Sequence, residues 1–134
     1  MTNGTTQAYE VKILTTTKEL TARQKISITD LASATQLDEI LTDEVNTVDI
    51  ALDYFVLLAI HNEKSKDKVD YQKIILVTET GERICTGSEH LIAKILDIYN
   101  ILNSADDFKD VTLKLVSKES NNYKGKRFYT CALI

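Results

Sequence analysis

The sequence has no proline and no tryptophan, and only four glycines and two cysteines in 134 residues. That scarcity excludes collagen-like, polyproline and Gly-rich linker classes. The longest purely apolar run, Phe55-Val56-Leu57-Leu58-Ala59-Ile60, is far short of the ~20 residues a membrane helix needs. Met1 to Gln7 has neither a basic nor an apolar segment. No secretory signal is therefore expected, and the chain reads as a soluble cytoplasmic protein without a membrane partner. Cys85 and Cys131 form no CxxC pair, and with His61 and His90 they offer no zinc spacing, so no metal is expected. Both thiols lie in apolar runs and read as free, reduced core residues.

Catalytic signatures are equally scarce. The chain contains no GxGxxG, GxxxxGK[ST], HExxH or GxSxG, so neither a cofactor nor an enzymatic activity is expected. His61 and His90, the only side chains that ordinarily titrate near neutrality, read as surface residues. Asp49 and Asp53 fall four apart on a predicted strand and read as a solvated acidic face.

What is present suits one globular domain. Hydrophobic residues make up 43% and charged residues 27%. A chain this long should bury about two thirds of its unfolded surface without a staple. Net charge is −4, from 16 Lys+Arg against 20 Asp+Glu, but it is unevenly spread. Asp38, Glu39, Asp43, Glu44, Asp49 and Asp53 fall in a stretch without a base. Lys109, Lys114, Lys118, Lys124, Lys126 and Arg127 meet only Asp110 and Glu119. Local field governs what a surface attracts, so one face can be positive on an acidic protein.

The first eight residues read as disordered. Strands are predicted over Tyr9–Thr17, Arg23–Thr29, Thr47–His61, Val69–Thr78, Arg83–Thr86, Asp110–Lys118 and Lys126–Ile134. Their warrant is period-two alternation and β-favouring composition. Thr47–His61 is the longest, alternating Val48, Ile50, Leu52, Tyr54, Val56, Leu58 and Ile60. Tyr54 and Phe55 then point to opposite faces. Glu79-Thr80-Gly81-Glu82 predicts a turn. Leu37, Ile40 and Leu41 suggest a short helix or turn. Ser88, as N-cap, opens one clear amphipathic helix to about Leu102. One helix between the third and fourth of five strands is the connectivity of the OB-fold, a five-stranded Greek-key β-barrel that binds oligonucleotides or oligosaccharides. The expected architecture is therefore a mainly β, single OB-fold domain over residues 1–134.

Binding single strands without sequence preference requires cations along the backbone and rings on which bases stack. Two zones supply both. One is Lys64, Lys66, Lys68, Tyr71 and Lys73. The other is Lys114, Lys118, Tyr123, Lys124, Lys126, Arg127 and Phe128. Tyr129, Cys131 and Leu133 alternate inward, which turns Phe128 outward beside Lys126 and Arg127. Phe128 is then either a stacking platform or a cap on a second apolar cluster or subunit interface. The lysine run is interleaved with Glu63, Asp67 and Asp70 and reads more readily as a solvated loop.

With that order in view, the chain resembles the small single-stranded DNA-binding proteins of tailed bacteriophages that infect low-GC Gram-positive hosts. The likeness rests on Gln24-Lys25-Ile26-Ser27-Ile28, on Thr80-Gly81-Glu82-Arg83, on Ser88, and on Tyr123-Lys124-Gly125-Lys126-Arg127-Phe128-Tyr129. It implies an OB-fold that coats single-stranded DNA during phage replication or recombination in an infected bacterium, beside phage replication or recombination proteins, with a homodimer as one possible state. Unlike cellular single-stranded DNA-binding proteins, the chain is not expected to carry a disordered acidic tail. A different class of reading is a phage protein-interaction module whose acidic surface around Asp38–Asp53 mimics nucleic acid. An oligosaccharide-binding barrel would ordinarily use tryptophan.

Overall fold

A computed structural model of the chain describes residues 8–120 and 126–134. Its spine is one long strand, β3 (Thr47–Asn62), with β1 (Tyr9–Thr16) and β2 (Thr35–Gln36) before it in the chain. Then come β4 (Asp70–Thr78), β5 (Arg83–Thr86), β6 (Thr112–Glu119) and β7 (Arg127–Leu133). The strand order is β2-β5-β4-β3-β6-β7, with β1 also paired to β3. β4 runs along one edge of β3, from Leu52 to His61. The other edge is divided: β6 pairs with Thr47–Ala51 and β1 with Val56–Asn62. Every ladder is antiparallel except the short parallel pair β2–β5. The result is a mainly β, mixed sheet curled into a half-barrel, whose terminal strands are β2 and β7.

The expectation of a strand at Arg23–Thr29 is overturned. That segment is helix α1 (Ala22–Ile28). Thr21 accepts from the Gln24 amide and Gln24 Oε1 accepts from the Thr21 amide, a reciprocal capping box. Lys25-Ile26-Ser27-Ile28 alternates, yet only Ile28 is buried, while Ile26 is 74% exposed. One of the segments behind the bacteriophage resemblance is therefore helical. Among the described residues the α-helices are α1, the one-turn α2 (Leu37–Ile40), where a short helix or turn was expected, and α3 (Glu89–Ser104). Ser88 caps α3 by accepting from the Leu91 amide at 3.3 Å. Ala8 accepts from Glu63 N at 2.9 Å, and the residues expected to be disordered before it lie outside the described range.

The uniform alternation expected along β3 is also corrected. A bulge at Asp53 shifts the register between Leu52 and Tyr54. An extra residue reverses which face the following side chains meet. Ile50 and Leu52 before it, and Phe55 and Leu57 after it, enter one core with Ile74, Leu76, Leu113 and Leu115, covered by Leu91, Ile92 and Ile95 of α3. Tyr54, Val56 and Leu58 enter a second core on the opposite face, with Ile75, Val77 and Cys85 under Leu20 and Ile28. Tyr54 and Phe55 thus do point apart, and both are buried. The Phe55 ring meets Tyr99 and Phe108 edge-on, with centroids 5.3 and 6.1 Å away. Such pairs add about 0.5–1.5 kcal/mol each beyond area burial.

Candidate nucleic-acid interface

The segments packed over the second core do not reach the Tyr9 and Tyr71 end of its sheet face. Register puts Val11, Ile60 and Tyr71 in one row across β1, β3 and β4, and Ile13, Leu58 and Lys73 in the next. Leu20, Ile28, Leu31 and Ala34 pack over the part of this face nearest the bulge. Toward Tyr9 and Tyr71 that cover stops. Tyr9 is 49% exposed, Val69 is 40% exposed, and Tyr71 and Lys73 are half-buried. Partial burial, then the nearby Tyr71 phenol and Cys85 thiol, push the Tyr9 pKa above its ordinary value and keep the ring neutral. Two tyrosine rings and a lysine therefore share an open sheet surface. Sequence reasoning nominated Tyr71 and Lys73 but missed Tyr9. Its alternation with Val11 and Ile13 set its face, but nothing in the sequence gave the limit of the cover.

The lysine loop between β3 and β4 borders this surface. Asn62 organises it: its side-chain oxygen accepts from Lys64 N, its carbonyl from Ser65 N, and its own N–H donates to the Val69 carbonyl. Lys64 and Lys66 project into solvent, whereas Lys68 Nζ sits 2.6 Å from Glu89 Oε1 on α3. That pair raises the Lys68 pKa and lowers that of Glu89, chiefly through their hydrogen bond.

Lys114, Lys118 and Phe128 of the second zone lie on the face of β6 and β7 turned away from the first core, while Arg127 lies on the first-core face with Ser117 and Cys131. Lys118 is directly opposite Phe128, Val116 opposite Thr130, and Lys114 lies between Asp49 and Ala132. Phe128 is half-buried, belongs to neither core, and meets the His90 ring edge-on at 5.3 Å. Arg127 has a different role from its neighbours. Its Nε donates to Ser117 Oγ and a terminal nitrogen to the Ser117 carbonyl, both at 2.8 Å, with Asp43 at 3.6 Å. Lys126 is exposed; Tyr123 and Lys124 lie outside the described residues. Because Lys68 meets Glu89 and Phe128 meets His90, the two zones flank the first turn of α3 from either side.

The remaining nominees are placed as follows. Cys85 and Cys131 are free and buried, and burial is the main reason their pKa values rise. His61, read as a surface residue, is three-quarters covered, and its Nδ1 bonds Asp70 Oδ1 at 2.7 Å. Within the acidic run, Asp43 and Asp53 face Arg127 and Lys18. Among the described residues no three His, Cys, Asp or Glu side chains gather as metal ligands, and no helix is long and apolar enough to cross a membrane. Comparison with protein-family models, curated proteins and solved structures finds no match to the chain.

Proposed function

We propose that this protein binds single-stranded DNA without sequence preference, and that its fold is an open variant of the OB barrel. The fold reading is supported by connectivity. From β3 onward the ladders β3–β4, β4–β5, β3–β6 and β6–β7, with α3 between the third and fourth of these strands, are compatible with OB-fold connectivity, and among the described residues no β5–β7 ladder closes the barrel. In that fold the face of the second and third strands and the loops after the first and fourth bind oligonucleotides. Here these correspond to the Tyr71 and Lys73 face, the Lys64–Lys68 loop, and the facing ends of β6 and β7 at Lys118 and Lys126.

The observation that carries the functional reading is the uncovered Tyr9 and Tyr71 pair beside Lys73. Ring stacking on unpaired bases contributes about 1–3 kcal/mol per base and tolerates any sequence. Exposed lysines at Lys64, Lys66 and Lys118, with the half-buried Lys114, supply phosphate contacts. Lys68 is already paired with Glu89, and Arg127 belongs to the fold. With about three lysines engaged at once, log K should fall with log salt at a slope near −2, at about −0.7 per contact. The reading is of a binding protein and not an enzyme. The bacteriophage resemblance extends it to replication or recombination of phage DNA in an infected host. Pairing of Asp43 and Asp53 within the chain weakens the alternative of an acidic docking surface. Titration of a labelled homopolymeric strand, and of a duplex of equal length, at low and moderate salt tests the proposal. Strong preference for the single strand supports it; equal affinities, or no binding, refute it.

A further inference from the structure

His61 ends β3 at the base of the lysine loop, and one of its nitrogens has no partner. Nδ1 is 2.7 Å from Asp70 Oδ1. Nε2 is buried, makes no hydrogen bond, and lies 3.9 Å from Glu63 Oε1. With Nδ1–H donating to Asp70, Nε2 is an unprotonated acceptor facing a carboxylate, an arrangement with nothing to share. One proton on Nε2 removes that mismatch, and a shift of about 1 Å then brings Glu63 into hydrogen-bond range. Glu63 is the first residue of the loop, and its amide is already anchored on the Ala8 carbonyl.

The surroundings favour that proton. An open cavity of about 500 Å³ beside His61 is lined by Glu10 and Lys12 from β1 and by Asp70, Tyr71 and Gln72 from β4. Lys12 is held 3.7 Å from Glu10, so Asp70, Glu63 and Glu10 leave a net negative setting around the imidazole. The Asp70 hydrogen bond is the largest influence on the His61 pKa and raises it above the ordinary 6.5; burial opposes it, and the charges of Asp70, Glu63 and Glu10 add to it.

We propose that protonation of His61 is a switch that draws Glu63 onto the imidazolium, orders the Lys64–Lys68 loop and tightens its hold on phosphate as the pH falls. This rests on the single-strand-binding reading and gives it a regulator. The sign follows from the direction of the shift. A raised His pKa contributes fully below 6.5 and is lost as pH rises through the folded value. One carboxylate withdrawn and one cation gained at a partly exposed site should change affinity on the order of two- to fivefold.

The test follows the wild type and His61→Gln from pH 6 to 8.5. Affinity for a homopolymeric thymidine strand is measured at fixed salt, and nuclear magnetic resonance follows the His61 ring and the Glu63 and Ser65 amides. Gln keeps a donor for Asp70 but cannot titrate. The wild type should bind about two- to fivefold more tightly at pH 6, with the loop amides shifting at the His61 midpoint, and His61→Gln should lose both effects. Binding that is strong but equally pH-dependent in the variant overturns the switch and leaves the DNA reading intact. Absence of DNA binding at every pH overturns the DNA reading, while loop amides that do not follow the His61 titration overturn the switch independently of DNA.

Discussion

Replacing Arg127 by alanine should damage the fold and leave DNA affinity intact, the reverse of what its place in a basic cluster suggests. Its guanidinium donates twice to Ser117, at 2.8 Å each, and Ser117 is only 4% exposed. Truncation leaves the Ser117 hydroxyl and carbonyl short of a donor at a cost of about 1–3 kcal/mol each. Water can reach the vacated space from the partly exposed arginine side, so the lower half of that range applies. The Asp43 contact, 3.6 Å from a carboxylate that is 87% exposed, adds no more than about 1 kcal/mol. The total is about 2–5 kcal/mol. For a chain of this length it should lower Tm by roughly 6–25 °C. The assay is a thermal melt paired with a single-strand titration well below the variant's midpoint. Affinity should stay within about twofold of wild type, because losing one phosphate contact would instead lower the salt slope by about 0.7. An unchanged Tm with weakened, less salt-sensitive binding would refute the reasoning and return Arg127 to the DNA backbone.

Three other outcomes follow from the packing. Phe55→Ala should cost about 3–5 kcal/mol, since the ring is fully buried between Tyr99 and Phe108; a urea midpoint that hardly moves would remove Phe55 from the first core. Thr21→Ala should cost about 1 kcal/mol through the lost capping box, measurable in the same denaturation curve; no loss would mean that α1 does not depend on its cap. Cys85 and Cys131 should stay inert to a disulfide reagent until denaturant is added, because both are buried and burial raises their pKa; rapid modification of the native protein would contradict that burial.

Much of the framework was legible in the chain. The span of β3, the Gly81 turn between β4 and β5, the Ser88 cap and the two last strands follow from alternation and turn chemistry. Gly81 has φ +90°, the left-handed conformation that the Glu79-Thr80-Gly81-Glu82 turn requires. The bulge at Asp53 was not readable. Residues 54–58 are apolar throughout, and a strand buried on both faces carries no phase to betray an inserted residue. Helix α1 was misread although Thr21 and Gln24 stood at capping-box spacing, because Ile26 and Ile28 mimicked a strand. At the site, Tyr71 and Lys73 were visible from composition and alternation. Tyr9 was not, since its exposure depends on where α1 and the segment after it stop covering the sheet. Arg127 and Lys68 look alike in sequence to Lys64 and Lys66, and only tertiary contacts with Ser117 and Glu89 separate them.

We propose that the open Tyr9 and Tyr71 surface holds unpaired bases. The most direct measurement is the affinity of the Tyr9→Ala/Tyr71→Ala double variant for a homopolymeric thymidine strand, read beside its Tm. Two lost stacking contacts at about 1–3 kcal/mol each should weaken binding by at least about thirtyfold. The salt slope should persist, because the lysines remain. A folded double variant that binds as tightly as wild type would contradict the account.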